Sequence, residues 1–185
     1  MSSVPQIVVR RLSVGLALWL WFMQPTPASA QSVSDYQVKA AYFYSFAKFV
    51  EWPSQSFRDG SEAVRLCILN DRLFEIELVR IVKGKSIAGH PIDVVQVQDG
   101  TQARTCHALF INSTQTRNTR RVIEALQGTS VLTVGEAGDF LEEGGVINFV
   151  LEDDRVQFQV NKKAAVDAKL YISSRLLSVA KRIVE

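Results

Sequence analysis

The chain has 185 residues, 47% of them hydrophobic and 22% charged, with 21 Lys and Arg against 19 Asp and Glu. Arg10 and Arg11 both precede Gln31, so residues 31–185 hold 19 basic and 19 acidic side chains and are formally neutral. Neutrality removes the electrostatic footprint of a nucleic-acid binder or of a protein held on an anionic membrane.

The N-terminal segment reads as a secretory leader. Arg10 and Arg11 form a short positive region, Leu12 to Met23 is an apolar run too short to span a bilayer, and Ala28-Ser29-Ala30 is a small-x-small site before Gln31. The arginine pair fits a twin-arginine motif poorly, which favours the general secretory route and a periplasmic destination. Cleavage after Ala30 gives a signal peptide over 1–30 and one domain over 31–185, long enough for a sizeable core. No apolar run in that domain approaches the length of a membrane span.

Beyond the leader, Ser34 and Gln37 form a capping box and Val33 and Val38 a hydrophobic staple. They predict a helix from about Asp35 to about Glu51, ended by Pro53 because the residue before a proline is pushed out of the helical region. Its stretch "AYFYSFAKFVEWP", Ala41 to Pro53, holds Tyr42, Phe43, Tyr44, Phe46, Phe49 and Trp52. On a helical wheel the apolar arc spans about twice the 100° that one packing face needs. Either a second layer of core covers the extra flank, or Tyr42, Phe46 and Phe49, with Trp52, meet a partner or a second copy.

After a polar loop, Val64 to Asn70 predicts a strand buried on both faces, and Arg72 to Val82 a helix. Ile92 to Gln98 and Cys106 to Asn112 predict strands, Thr116 to Gly128 a helix, and Ser130 to Gly135 another strand. This order favours a mixed, mostly parallel sheet flanked by helices, in a single α/β domain. Around Glu152-Asp153-Asp154 two runs predict a C-terminal β-hairpin, with Val156, Phe158 and Val160 alternating with Gln157 and Gln159. The remaining residues, Asn161 to Val184, predict a closing helix with a break near Leu170 to Ser173.

Catalytic motifs are thin. No nucleophile elbow, phosphate loop or H-E-x-x-H motif occurs, and the glycines read as turn residues. On a strand, Cys106 and His107 point to opposite faces, which disfavours a thiol catalyst, and no further ligands are spaced for a metal. Cys67 and Cys106 read as a bridge or as buried thiols. A bridge requires their strands to be neighbours, and an oxidising compartment permits it. Arg117, Arg120 and Arg121 share one helix side and can receive an anion or an acidic partner, although a solvated face is the simpler reading.

The segments "KAAYFYSFAKFVEWP", "LCILND", "CHALFI", "LTVGEAGDFLEEGGVINF", "RVQFQVNKKAA" and "LYISSRLLSVA" resemble the YfiR family in order and spacing, from about Val33 to Ile183. The resemblance implies a periplasmic regulator without enzymatic activity, cofactor or metal, which represses an inner-membrane diguanylate cyclase through its periplasmic sensor region. Cyclic di-GMP and biofilm formation would fall as a result. It also implies an OmpA-like outer-membrane lipoprotein that can sequester the repressor. Cys67 and Cys106 become, by resemblance, a redox-sensitive disulfide. The second cysteine pair that some relatives carry is absent, since these two are the only cysteines. The competing reading is a periplasmic small-molecule receptor that signals to a membrane sensor, with its ligand at the sheet edge.

Overall fold

Parallel strands buried on both faces need helices on both sides, and the chain supplies them in alternation. A computed structural model describes residues 28–57 and 63–185, with side chains from Asp35 onward except those of Thr116 and Arg117. In chain order the elements are α1 (Ala28–Lys48), β1 (Val50–Glu51), β2 (Val64–Leu69), α2 (Arg72–Val82), β3 (Ser86–Ile87), β4 (His90–Val97), α3 (Gly100–Ala103) and β5 (Ala108–Ile111). There follow α4 (Thr116–Ala125), β6 (Leu132–Gly135), β7 (Ile147–Glu152), β8 (Arg155–Asn161), α5 (Lys162–Asp167), β9 (Tyr171–Ile172), α6 (Ser174–Leu177) and β10 (Arg182–Val184). Among the described residues no helix is long and apolar enough to cross a membrane.

Eight strands form one sheet in the order β10-β8-β7-β6-β5-β2-β4-β3. Strands β4, β2, β5, β6 and β7 run parallel; β8 returns antiparallel to β7, β10 lies parallel to β8, and β3 is antiparallel to β4. Side chains alternate across the sheet. Leu66 and Ile68 join Phe43, Phe46, Phe74 and Leu78 of α1 and α2 on one face. Cys67 and Leu69 join Ala103, Val122 and Leu126 of α3 and α4 on the other. There Phe140 lies in a slot between Gly135 and Gly145, where an added Cβ would come within 2.3 Å and 2.1 Å of its ring.

The wide aromatic arc of α1 is explained by the first face. Phe43 packs edge-on to Phe74 (5.9 Å between centroids) and against Phe110 (6.1 Å), and those two rings stack at 3.7 Å. One turn on, Phe46 lies 4.8 Å from Phe158 and 5.5 Å from Phe149 of the hairpin. The helix thus packs on the sheet centre, on α2 and on the hairpin, so one narrow stripe does not suffice. The mixed α/β architecture, the hairpin and the span of α2 agree with the sequence reading, and the hairpin tip puts Asp153 and Asp154 at φ 48° and 56°, as a type I′ turn requires.

Three expectations need correction. Helix α1 begins at Ala28, so Ser34 lies inside it and not at its cap; no glycine or proline between Ala28 and Ser34 stops the helix from extending back. It ends at Lys48, because Val50 and Glu51 pair antiparallel with Ile172 and Tyr171. The closing segment is no long helix. Lys169, at φ 58°, ends α5 in a left-handed residue, and the Leu170 N–H bonds back to the Ala165 carbonyl at 2.9 Å. Ser173 then caps α6 through the Leu176 N–H, and β10 extends the sheet beyond β8. The expected leader lies outside the described residues apart from its last three, Ala28 to Ala30.

Phe46→Ala should leave a cavity under both the helix and the hairpin and lower unfolding free energy by about 3–5 kcal/mol. Urea unfolding followed by circular dichroism measures it; a loss below about 1 kcal/mol would contradict this packing.

Candidate functional site

In open α/β sheets ligands settle at the carboxyl ends of the strands, where the strand order reverses. Here the chain leaves β2 for β4 on one side and then crosses to β5 on the other, so the reversal lies at the ends of β2 and β5. That crevice is filled from within. Asp71, 6% exposed, accepts the Phe74 N–H at 3.0 Å and the Asn112 side-chain N–H at 2.7 Å. Glu136, just past β6, accepts the Ser113 backbone N–H at 3.0 Å and is ion-paired with Lys39 of α1. Tyr36 of α1 completes the plug, and its phenol is pushed above its ordinary range by burial first and then by the carboxylates of Asp71 and Glu136. The fold's usual ligand position is therefore held by the protein's own phenol and ammonium. Among the described residues no group of three or more His, Cys, Asp or Glu is placed to hold a metal.

At the opposite end of the same strands, Cys67 and Cys106 are joined, with their Cα atoms 6.0 Å apart and both residues buried. Neighbouring β2 and β5 bring them together. The residue after the bridge organises this end. His107 accepts the Arg65 N–H at Nδ1 (3.0 Å), and its Nε2 lies 3.2 Å from the Ser56 carbonyl. Its own carbonyl takes both the Leu132 N–H (2.9 Å) and the indole N–H of Trp52 (3.0 Å). Phe57 is stacked between the rings of His107 (4.7 Å) and His90 (4.5 Å). Cys106 and His107 do point apart, and His107 serves as a structural hub that ties Trp52 to the bridge.

Of the expected contact flank Tyr42, Phe46, Phe49 and Trp52, one residue is closed off and three keep part of their surface. Phe46 has no exposed surface, because the hairpin covers it. Tyr42 is half-buried and stacks on Phe46 at 5.8 Å, Phe49 is half-buried below the Arg175 guanidinium at 5.9 Å, and Trp52 is half-buried against His107 and Phe57. Helix α2 exposes an apolar row, Leu73, Ile76 and Val79, at 63%, 45% and 50%; Val38 of α1 and, outside these two helices, Leu151, Val166, Tyr171 and Val179 are exposed as well. The signal was present in the sequence. Helix α2 buries Phe74, Leu78 and Val82, so Leu73, Ile76 and Val79 widen its apolar arc beyond one face. Of the three arginines on α4, the side chain of Arg117 lies outside the described residues. Arg120 and Arg121 are exposed, and Arg120 sits 3.7 Å from Glu143.

Comparison with known proteins places this geometry. Residues 36–181 match the model of the family described as YfiR/HmsC-like. No curated protein matches the sequence. A conserved domain protein from Vibrio cholerae O1 biovar El Tor superposes with a TM-score of 0.50 at 11% identity, over 66% of this chain and 55% of that one. An ABC domain from Streptococcus pneumoniae, solved in complex with L-Trp, superposes with a TM-score of 0.54 at 12% identity, over 78% of this chain and 60% of that one. At such identities the likeness is one of fold, and this chain spans little more than half the length of either.

Two outcomes follow from the site. Replacing Cys67 and Cys106 by serine should cost about 4 kcal/mol in the chain-entropy account of a loop this long. Through His107 it should also shift the emission of Trp52, the one tryptophan of residues 31–185, to longer wavelength. Unchanged emission would contradict the coupling. Because the folded phenol of Tyr36 titrates above its unfolded value of 10.0, its share of stability is whole below that pH and is lost as pH rises through the folded value. The unfolding free energy of Tyr36→Phe between pH 9 and 11 should then fall less steeply with pH than that of the parent; equal slopes would contradict the assignment.

Proposed function

Because the chain belongs to the YfiR/HmsC-like family, we propose that it is a periplasmic, non-enzymatic regulator that represses an inner-membrane diguanylate cyclase by binding that enzyme's periplasmic sensor region. Repression lowers cyclic di-GMP inside the cell and with it biofilm formation. Family membership supports the signalling role. The leader read at residues 1–30 supports export, and a buried disulfide suits an oxidising compartment.

The observation that carries the reading is the apolar row on α2, formed by Leu73, Ile76 and Val79. Its spacing of i, i+3 and i+6 slants along one exposed side of the helix, while the crevice where such folds bind ligands is plugged by Tyr36 and Lys39. Contact surfaces are where exposed apolar groups of this kind find use. Repression needs only that the row bind the inactive state of the sensor better than the active one. An OmpA-like lipoprotein competing for the same row would release the cyclase, and a second copy of the chain could cover it in storage. The half-buried rims of Tyr42, Phe49 and Trp52 act from inside, holding α1 and hence α2 in place.

Ile76→Glu combined with Val79→Glu should weaken binding to the sensor region at least about tenfold and raise cyclic di-GMP towards the level of a strain lacking the protein, with the melting temperature unchanged. Titration calorimetry and a cyclic di-GMP reporter measure the two. Full repression by the double variant would overturn the reading.

A further inference from the structure

A second feature at the disulfide end is independent of the contact row. A cleft of about 550 Å³ opens beside Cys106, within the size range of small-ligand sites. Its charged lining is Arg65, Arg104 and Lys169, with no Asp or Glu among the residues that form it. Two of the three cations are braced. Arg65 donates to the Thr105 hydroxyl at 2.7 Å and lies 3.8 Å from the Asp93 carboxylate outside the cleft, and Arg104 donates to the Ala125 carbonyl. A braced guanidinium keeps further N–H donors in a planar fork that matches a carboxylate or phosphate.

Lys169 supplies the more telling observation. It occupies the residue after the cap of α5, where the Lys169 N–H bonds to the Val166 carbonyl at 2.8 Å and the Leu170 N–H to the Ala165 carbonyl at 2.9 Å. This paired closure normally takes glycine, because the left-handed backbone crowds a Cβ. The chain places a lysine there at φ 58°, with no ion-pair partner among the described residues, and this residue lines the cleft. Strain held at a lysine that faces a basic cleft is the pattern of a binding position kept at the expense of stability.

We propose that this cleft is a binding site for a small polyanion, a di- or tricarboxylate or a phosphorylated metabolite, held by Arg65, Arg104 and Lys169. The tricarboxylate citrate and inorganic phosphate are the probes, each titrated calorimetrically into the full protein against sodium chloride of equal ionic strength. Saturable binding is expected with at least one of them, and the stronger of the two identifies the carboxylate or the phosphate class. Lys169→Gly should raise the melting temperature of the free protein by about 3 °C while weakening that binding about tenfold. Lys85→Gln, which removes a charge that does not line the cleft, should leave binding unchanged. Arg104→Gln tests the site without touching the α5 closure and should weaken binding similarly. The proposal is overturned if neither anion binds beyond the salt control, or if Lys169→Gly and Lys85→Gln lower affinity equally.

Discussion

Burial of one aromatic helix is the constraint on which the rest of the molecule depends. Phe43 and Phe46 lie at the meeting of three layers: the sheet at Phe110, α2 at Phe74, and the hairpin at Phe149 and Phe158. Helix α2, the sheet centre and the hairpin meet α1 through those rings. Because α1 is pinned there, its N-terminal turns pass over the carboxyl ends of β2, β5 and β6 and deliver Tyr36 and Lys39 to Asp71, Asn112 and Glu136. Because α2 shares its inner rings with α1, its outer row of Leu73, Ile76 and Val79 is left facing outwards. The same packing that makes the core therefore closes one site and exposes another.

The disulfide end is tied to this core by a short path. Trp52 ends the aromatic stretch, and its indole N–H is held by the carbonyl of His107, the residue next to Cys106. The imidazole of His107 holds the start of β2 through Arg65 and stacks on Phe57. One residue and one hydrogen bond thus separate the bridge from Trp52, four residues beyond the end of α1.

Much of the fold was legible because it rests on local pattern. The capped amphipathic run of α2 has the same bounds in sequence and structure, and the alternation of Val156, Phe158 and Val160 marks β8 correctly. What the residues could not disclose is pairing. Strand β1 is two residues long and exists only because β9 lies beside it, so Val50 and Glu51 read as helix. The closing segment reads as helical for the same reason, since Lys169 takes a left-handed backbone that no local rule assigns to lysine, and β10 depends on β8. The short α3, capped by Asp99, is hidden in a polar connection. The candidate site was half visible: a surplus of apolar surface on α1 is evident in its sequence, but only the strand order shows that the hairpin consumes it at Phe46. The plugged crevice was invisible, because Tyr36 and Lys39 are 35 and 97 residues from Asp71 and Glu136.

Under the proposed function, Tyr36 and Lys39 occupy the usual ligand crevice, the aromatic helix is mostly core, and the outside of α2 is the contact face. Amide hydrogen exchange with and without the periplasmic region of the cyclase tests this most directly. Added protection is expected over Arg72–Val82 on binding, with the stretch from Tyr42 to Val50 protected equally in both states. Protection gained at Tyr42 to Trp52 with none on α2 would contradict it.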